Sequence, residues 1–111
     1  MDCIFCKIAA GEAPATVVYE DSEVMAFKDI APVAPLHILV IPKRHIESLA
    51  AATPQDQALL GRLLLLAKQV AADGGAERGF RTVINTGRGS GQAVLHLHLH
   101  VIAGRRMGWP P

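Results

Sequence analysis

The residues of this chain best suited to chemistry are five histidines and two cysteines. Three of the histidines alternate with aliphatic residues in His96-Leu97-His98-Leu99-His100-Val101. In an extended strand, residues two apart share a face, so three imidazoles line one side and three aliphatic groups the other. Neighbouring imidazoles on such a strand stand ~6.6 Å apart and the outer two ~13 Å. One ion cannot then take all three without a bend, so each histidine has its own task. A solvent-facing polar stripe would account for one such histidine, but three in alternation point to a site. Neutral imidazole is a good nucleophile near its reference pKa of ~6.5, and it can carry a phosphoryl group covalently. Flanking imidazoles can hydrogen-bond phosphoryl oxygens, hold the nucleophile's tautomer or move a proton.

The segment just ahead of the histidines suits an anion. Thr86-Gly87-Arg88-Gly89-Ser90-Gly91-Gln92 is rich in glycine, and glycine lets backbone N–H groups approach and turn toward a phosphate. A glycine-rich loop alone is a weak signal; directly before three histidines it reads as a phosphate cradle. Asn85 can add a side-chain donor, and Ser90 reads as a polar loop residue. At the other end of the chain, Cys3 and Cys6 are spaced to share one face of a short helix. Two thiolates of a Cys-x-x-Cys pair with two histidines make a common tetrahedral zinc set. Two other readings stay open: small buried residues, or a redox pair, although no βαβ context surrounds it.

Composition narrows the setting. The chain has 111 residues, the size of a single domain over 1–111, and half of them are apolar, enough for one core. Eleven basic and ten acidic residues nearly cancel, which argues against a nucleic-acid polymer as partner but not against one small anion. No stretch approaches the ~20 apolar residues of a membrane span. Met1-Asp2-Cys3 has no basic and apolar leader, so a cytoplasmic location with reduced thiols is expected.

Regular elements must position these groups. Cys3 to Ala10 reads as a short helix stopped by Gly11. Val17 to Glu20 and Val24 to Lys28 read as strands around a turn at Asp21-Ser22. His37 to Ile41 reads as a central strand ended by Pro42. A long helix is predicted from about Pro54 to Asp73, with Thr53 as cap and Gly74-Gly75 as stop. Its Leu59, Leu60, Leu63, Leu64, Ala67, Val70 and Ala71 keep helical spacing. Leu65 and Leu66 widen that stripe, which predicts burial on more than one side, a second subunit being a plausible cover. Arg81 to Asn85 and Leu95 to Ala103 complete the strands. The order predicts an α+β fold with an antiparallel sheet.

The string His96-Leu97-His98-Leu99-His100-Val101-Ile102 resembles the histidine-triad (HIT) signature. Ile4-Phe5-Cys6-Lys7-Ile8, Ala26-Phe27-Lys28-Asp29-Ile30, Ala34-Pro35-Leu36-His37, Val40-Ile41-Pro42-Lys43-Arg44-His45, Asn85-Thr86-Gly87 and Trp109-Pro110-Pro111 are similar to the Hint branch of that family. The resemblance implies a five-stranded antiparallel sheet with one long and one short helix, dimerising into a ten-stranded sheet. It implies hydrolysis of the P–N bond of purine nucleoside phosphoramidates, with AMP or GMP as the nucleotide part. In that scheme His98 attacks the phosphorus, His100 and Asn85 contact the phosphate with the backbone of Gly91, Gln92 and Ala93, and His96 and His37 support the triad. Asp29 would accept from the ribose, and Phe5, Ile8, Phe27 and Ile30 would line the purine pocket. Ordinary core is the competing role for Ile8, as is capping a turn for Asp29. In zinc-containing relatives the pair matching Cys3 and Cys6 joins histidines matching His45 and His96, implying a structural zinc and no catalytic metal.

One departure bears on rate: the branch commonly has serine where this chain has Ala93. Losing one oriented donor can cost ~10²-fold. Dinucleoside polyphosphate hydrolysis or nucleotidyl transfer on the same fold is the second reading, but relatives with those activities often replace the last histidine, retained here as His100. A catalytically weak nucleotide- or partner-binding dimer is the third. The resemblance also leaves Trp109 a choice between the partner's site and packing of the tail.

Overall fold

The computed structural model describes residues 3–110. Met1, Asp2 and Pro111, which carry parts of the leader and tail readings, lie outside the described residues.

Five strands form one antiparallel sheet. They are β1 (Val17–Glu20), β2 (Val24–Lys28), β3 (Leu36–Pro42), β4 (Arg81–Val83) and β5 (Leu99–Ala103), in the order β1-β2-β3-β5-β4. Two helices, α1 (Ile4–Ala9) and α2 (Gln57–Asp73), complete the α+β fold expected from the sequence. None of the described helices is long and apolar enough to cross a membrane.

Strand alternation divides the interior in two. Val24, Ala26, Ile38, Val40, Leu97, Leu99 and Val101 pack with Leu63, Leu66, Ala67, Val70 and Ala71 of α2. The intervening residues Met25, Phe27, Leu39 and Ile41 face the other way and pack with Cys3, Phe5 and Ile8 around α1. The helices therefore cover opposite sheet faces, as the period of two requires.

Helix α2 is entered through a 3₁₀ turn, Pro54–Asp56, so its regular α part starts three residues later than predicted. Pro54 sits at the first helical position, and the Asp56 carboxylate accepts from the Thr53 amide at 2.8 Å. Arg44 pairs with the same carboxylate. Within the single chain the expected second buried side of α2 is only partly realised. Leu66 is buried, but Leu64 is 54% and Leu65 66% exposed, no element among the described residues covering them.

The last two strands are shorter than the patterns predict. Strand β4 stops at Val83 rather than Asn85, and β5 begins at Leu99 rather than Leu95. Continuing the β3–β5 register beyond Val40↔Leu99 would bring Leu97 opposite Pro42, which has no amide proton. Leu97 instead donates its N–H to the Ile46 carbonyl at 2.6 Å, and the His96 ring takes the Pro42 carbonyl at 2.8 Å. Two of the three alternating histidines thus precede the ladder, yet Leu97 and Leu99 still face α2.

Candidate functional site

Helix α1, the end of β3 and β5 converge on the histidines. His96 and His98 are buried, and His100 is half-buried. The His98 and His100 ring centroids lie 5.0 Å apart, closer than an ideal extended spacing, because His98 precedes the regular ladder. Each imidazole has its own partners, and those partners define its tautomer.

His98 Nδ1 lies 2.7 Å from the carbonyl oxygen of His96. A carbonyl only accepts, so Nδ1 carries the proton and Nε2 keeps its lone pair. His37 accepts at Nδ1 from the Val33 N–H at 3.1 Å, so its own proton resides on Nε2. That N–H donates to His100 Nδ1 at 2.9 Å, with Asp29 Oδ2 a further 3.4 Å neighbour of His37 Nε2. His100 in turn holds its proton on Nε2, free to donate elsewhere. Burial, reinforced by His98 and His37, lowers the pKa of His100 to about 4 and keeps the ring neutral near pH 7.

His96 belongs to a second constellation. Its Nε2 donates to the Pro42 carbonyl, leaving the lone pair on Nδ1. That nitrogen lies 3.3 Å from Cys3 Sγ, 3.5 Å from Cys6 Sγ and 3.2 Å from His45 Nδ1, and Cys6 Sγ is 3.3 Å from His45 Nδ1. All four donor atoms lie within 4.8 Å of one another. Ordinary Zn–S and Zn–N bonds give tetrahedron edges of roughly 3.3–3.8 Å, so two sulfurs and two nitrogens at these spacings fit a four-coordinate zinc. The Cys6 amide also points at Cys3 Sγ, 3.3 Å away, so the first turn of α1 orients a sulfur. Burial pushes the His96 imidazole down, which keeps it an unprotonated donor. Asp29, His37 and His100 form another compact donor group. There the 2.9 Å N···N contact is an N–H···N hydrogen bond, and the group reads as a chain of contacts that orients His100.

The glycine loop makes a 3₁₀ turn at Arg88–Ser90 and leaves it at Gly91, whose φ of 90° suits a residue without Cβ. Asn85 Nδ2 donates to the Ser90 carbonyl at 2.8 Å, tying both ends of the loop. Gln92 is fully engaged by backbone. Its Oε1 accepts from Gly87 N–H at 2.8 Å, and its Nε2 donates to the carbonyls of Glu47 at 2.8 Å and Val94 at 3.1 Å. Its own amide donates to the Gly87 carbonyl at 3.2 Å. Gln92 therefore pins the loop, and neither its side chain nor its amide is free for a ligand. Ala93 is exposed beside it.

The apolar candidates separate. Phe5, Ile8 and Phe27 are buried in the α1-side core, whereas Ile30 is 97% exposed on the loop after β2. Phe5 stands edge-on to Phe27, His96 and His98, with centroids 5.5, 5.9 and 5.2 Å away. Asp29 Oδ1 caps the turn by accepting from Ala31 N–H at 2.8 Å, the competing role expected of it, while Oδ2 faces His37, a contact the sequence did not signal. Sequence reasoning missed the partners that set the tautomers. The amide of Val33 and the carbonyls of Pro42 and His96 are main-chain groups, and no side-chain pattern signals them.

Known proteins are similar to this chain in sequence and fold. The model of the HIT domain matches residues 10–107. A HIT-like protein of Synechocystis sp. is 57% identical over 110 residues, covering 99% of this chain and 96% of that protein. The crystal structure of a HIT family hydrolase from Legionella pneumophila superposes with a TM-score of 0.95 at 51% identity, covering 99% of both chains. A zinc-bound histidine triad family protein from Mycobacterium smegmatis superposes with a TM-score of 0.81 at 36% identity, over 96% of this chain and 77% of that one. With the HIT domain matched over residues 10–107 and almost its whole length shared with these proteins, this chain belongs to the histidine-triad (HIT) domain family.

Proposed function

We propose that this protein hydrolyses the P–N bond of purine nucleoside 5′-monophosphoramidates, with His98 as nucleophile. The observation that carries the reading is the 2.7 Å contact from His98 Nδ1 to the His96 carbonyl, which commits the proton to Nδ1 and leaves Nε2 to attack. The new Nε2–P bond forms as the P–N bond breaks. The departing nitrogen takes one proton from solvent, because neutral His100 donates a hydrogen bond but is no acid at pH 7. Water then attacks phosphorus, the Nε2–P bond breaks, and one proton returns to solvent. The balance is phosphoramidate and water to nucleotide and amine.

The remaining roles follow from the chemistry of each group. His100 Nε2–H and the backbone N–H of Ala93 stabilise charge on the phosphoryl oxygens, and Asn85 adds its second amide N–H, whereas the Gly91 N–H is taken by the Arg88 carbonyl at 3.0 Å and shapes the loop instead. His37 holds His100. Asp29 accepts from the ribose hydroxyls, and Ile30 at the mouth covers the purine over a floor of Phe5, Ile8 and Phe27. Cys3, Cys6, His45 and His96 hold a structural zinc; four protein ligands leave no open position for catalysis, and the ion would tie α1 to the segment carrying His98. The exposed Leu64 and Leu65 of α2 are covered in a homodimer. A dimer that binds nucleotide with little turnover is the second reading, favoured by Ala93, which offers no hydroxyl at the loop.

Single-turnover hydrolysis of an adenosine phosphoramidate, with mass spectrometry of the quenched protein, tests the scheme. The expected result is rapid release of amine and a nucleotidyl adduct on His98. Tight nucleotide binding with neither adduct nor turnover would replace it with the binding reading.

A further inference from the structure

The C-terminal segment after β5 carries a group that acts on the catalytic face from outside. Arg105 Nε donates to the Val33 carbonyl at 2.8 Å, across 72 residues of sequence. Val33 is the residue whose N–H donates to His37 Nδ1 at 3.1 Å. One residue is thus held on both sides: its carbonyl by a guanidinium, its amide by an imidazole. His37 then donates through Nε2 to His100 Nδ1 at 2.9 Å. The chain of contacts runs Arg105, Val33, His37, His100, and ends at the ring assigned to the phosphoryl oxygens.

A second observation shows that the approach is built into the backbone. The register pairs Leu36 with Ala103, so the tail leaves β5 against the loop that precedes β3. The next residue, Gly104, has φ of 92°, and a Cβ there would come within 3.0 Å of the Pro35 ring. Only glycine permits both the turn and the contact, and the turn places Arg105 beside Val33. Val33 itself is 54% exposed and has little apolar packing to hold it. Its position is then set largely by its two hydrogen bonds.

From this we infer that Arg105 is a positioning residue for the reaction: by clamping Val33 it holds the N–H that fixes the His37 tautomer, and so the Nε2–H of His100. The inference rests on the proposed use of His100 on the phosphoryl group. Without the clamp, Val33 shifts while Asp29 stays held by the Ala31 N–H, His37 Nδ1 loses its donor, and the Nε2–H tautomer is no longer imposed on either ring. Phosphate binding by the glycine loop does not depend on this chain of contacts, so the loss falls on kcat.

Long-range ¹H–¹⁵N spectra of full-length protein with ¹⁵N-labelled histidine resolve the ring tautomers directly. In the wild type, His37 and His100 are expected as single Nε2–H tautomers. Arg105→Ala is expected to turn both into mixtures and to lower kcat for an adenosine phosphoramidate about tenfold, with KM within about twofold. Arg105→Lys, which keeps a cationic donor, is expected to recover part of both. Gly104→Ala, which pushes the tail off Pro35, is expected to repeat the Arg105→Ala spectrum. An Arg105→Ala protein with wild-type ring tautomers and wild-type kcat overturns the inference. If the wild type turns over no phosphoramidate, the proposed function fails, while the ring spectra still decide whether Arg105 sets the tautomers.

Discussion

The two faces of the sheet are read from one strand but are made of different matter. On the α2 side, Leu97, Leu99 and Val101 meet Leu63, Leu66, Ala67 and Val70, all hydrocarbon and all buried. On the α1 side, His96, His98 and His100 meet thiols, rings and main-chain carbonyls. The first face gains from area removed from water and has no directional demands. The second must give every buried nitrogen a partner, and among the described residues no buried side-chain nitrogen or oxygen lacks one. Within the 96–101 segment, area burial therefore falls on one face and orientation on the other, although the α1 face has an apolar core of its own around Phe5, Phe27 and Ile41.

The sharpest way to break this contrast is to truncate neighbouring residues that face opposite ways. His98→Ala is expected to lower phosphoramidate turnover at least ~10³-fold and abolish the adduct, with the melting curve nearly unchanged. Leu99→Ala is expected to do the reverse, costing about 2–5 kcal/mol in denaturant unfolding while folded molecules keep their kcat. Comparable activity losses in the two would show that the faces are not separable.

The metal cluster is where the α1 side should contribute to stability as well. Cys6→Ser is expected to remove bound zinc, measured by elemental analysis of protein purified without added metal, and to lower the Tm by on the order of 10 °C. A metal-free wild type with two freely titrating thiols would remove the zinc from the scheme.

A smaller effect comes from burying neutral His100. Its folded pKa, about 4, lies below its ordinary 6.5, so between those values the unfolded chain binds more protons than the folded one. Stability then rises with pH across that window, and acidification from 6.5 to 4 removes on the order of 1–3 kcal/mol. Urea unfolding of wild type against His100→Gln should show a shallower slope in the variant, where buried His96 still contributes in the same direction.

The smallest expected change tests the loop. Gln92→Ala leaves the Gly87 amide and the Glu47 and Val94 carbonyls without their side-chain partner. It should weaken AMP binding about tenfold by calorimetry, with the chemical step on bound substrate little altered. Unchanged affinity would make the pin irrelevant to the phosphate cradle.

The sequence by itself determined the strands at Val17 to Glu20 and Val24 to Lys28, the extent of the long helix at Asp73, the faces of the 96–101 segment and the donor types for a metal. Those features are local: period, caps and spacing depend on residues within a few positions of one another. It misjudged the start of β5, because the ladder ends at a proline some fifty residues away in the chain. Nor does the sequence signal that Gln92 is engaged by backbone, because the three groups that consume its side chain meet only after folding. The tautomers of His96 and His100 were decided by long-range contacts, to Pro42 and His37, whereas the partners of His98 and His37 lie two and four residues away and are selected by the local backbone path. An imidazole's proton follows the nearest acceptor or donor, and here these are carbonyls and an amide brought close by the crossing of β3, the loop before it and the segment ahead of β5. Main-chain groups are the same at every position, so which of them meets a given histidine is written only in the fold.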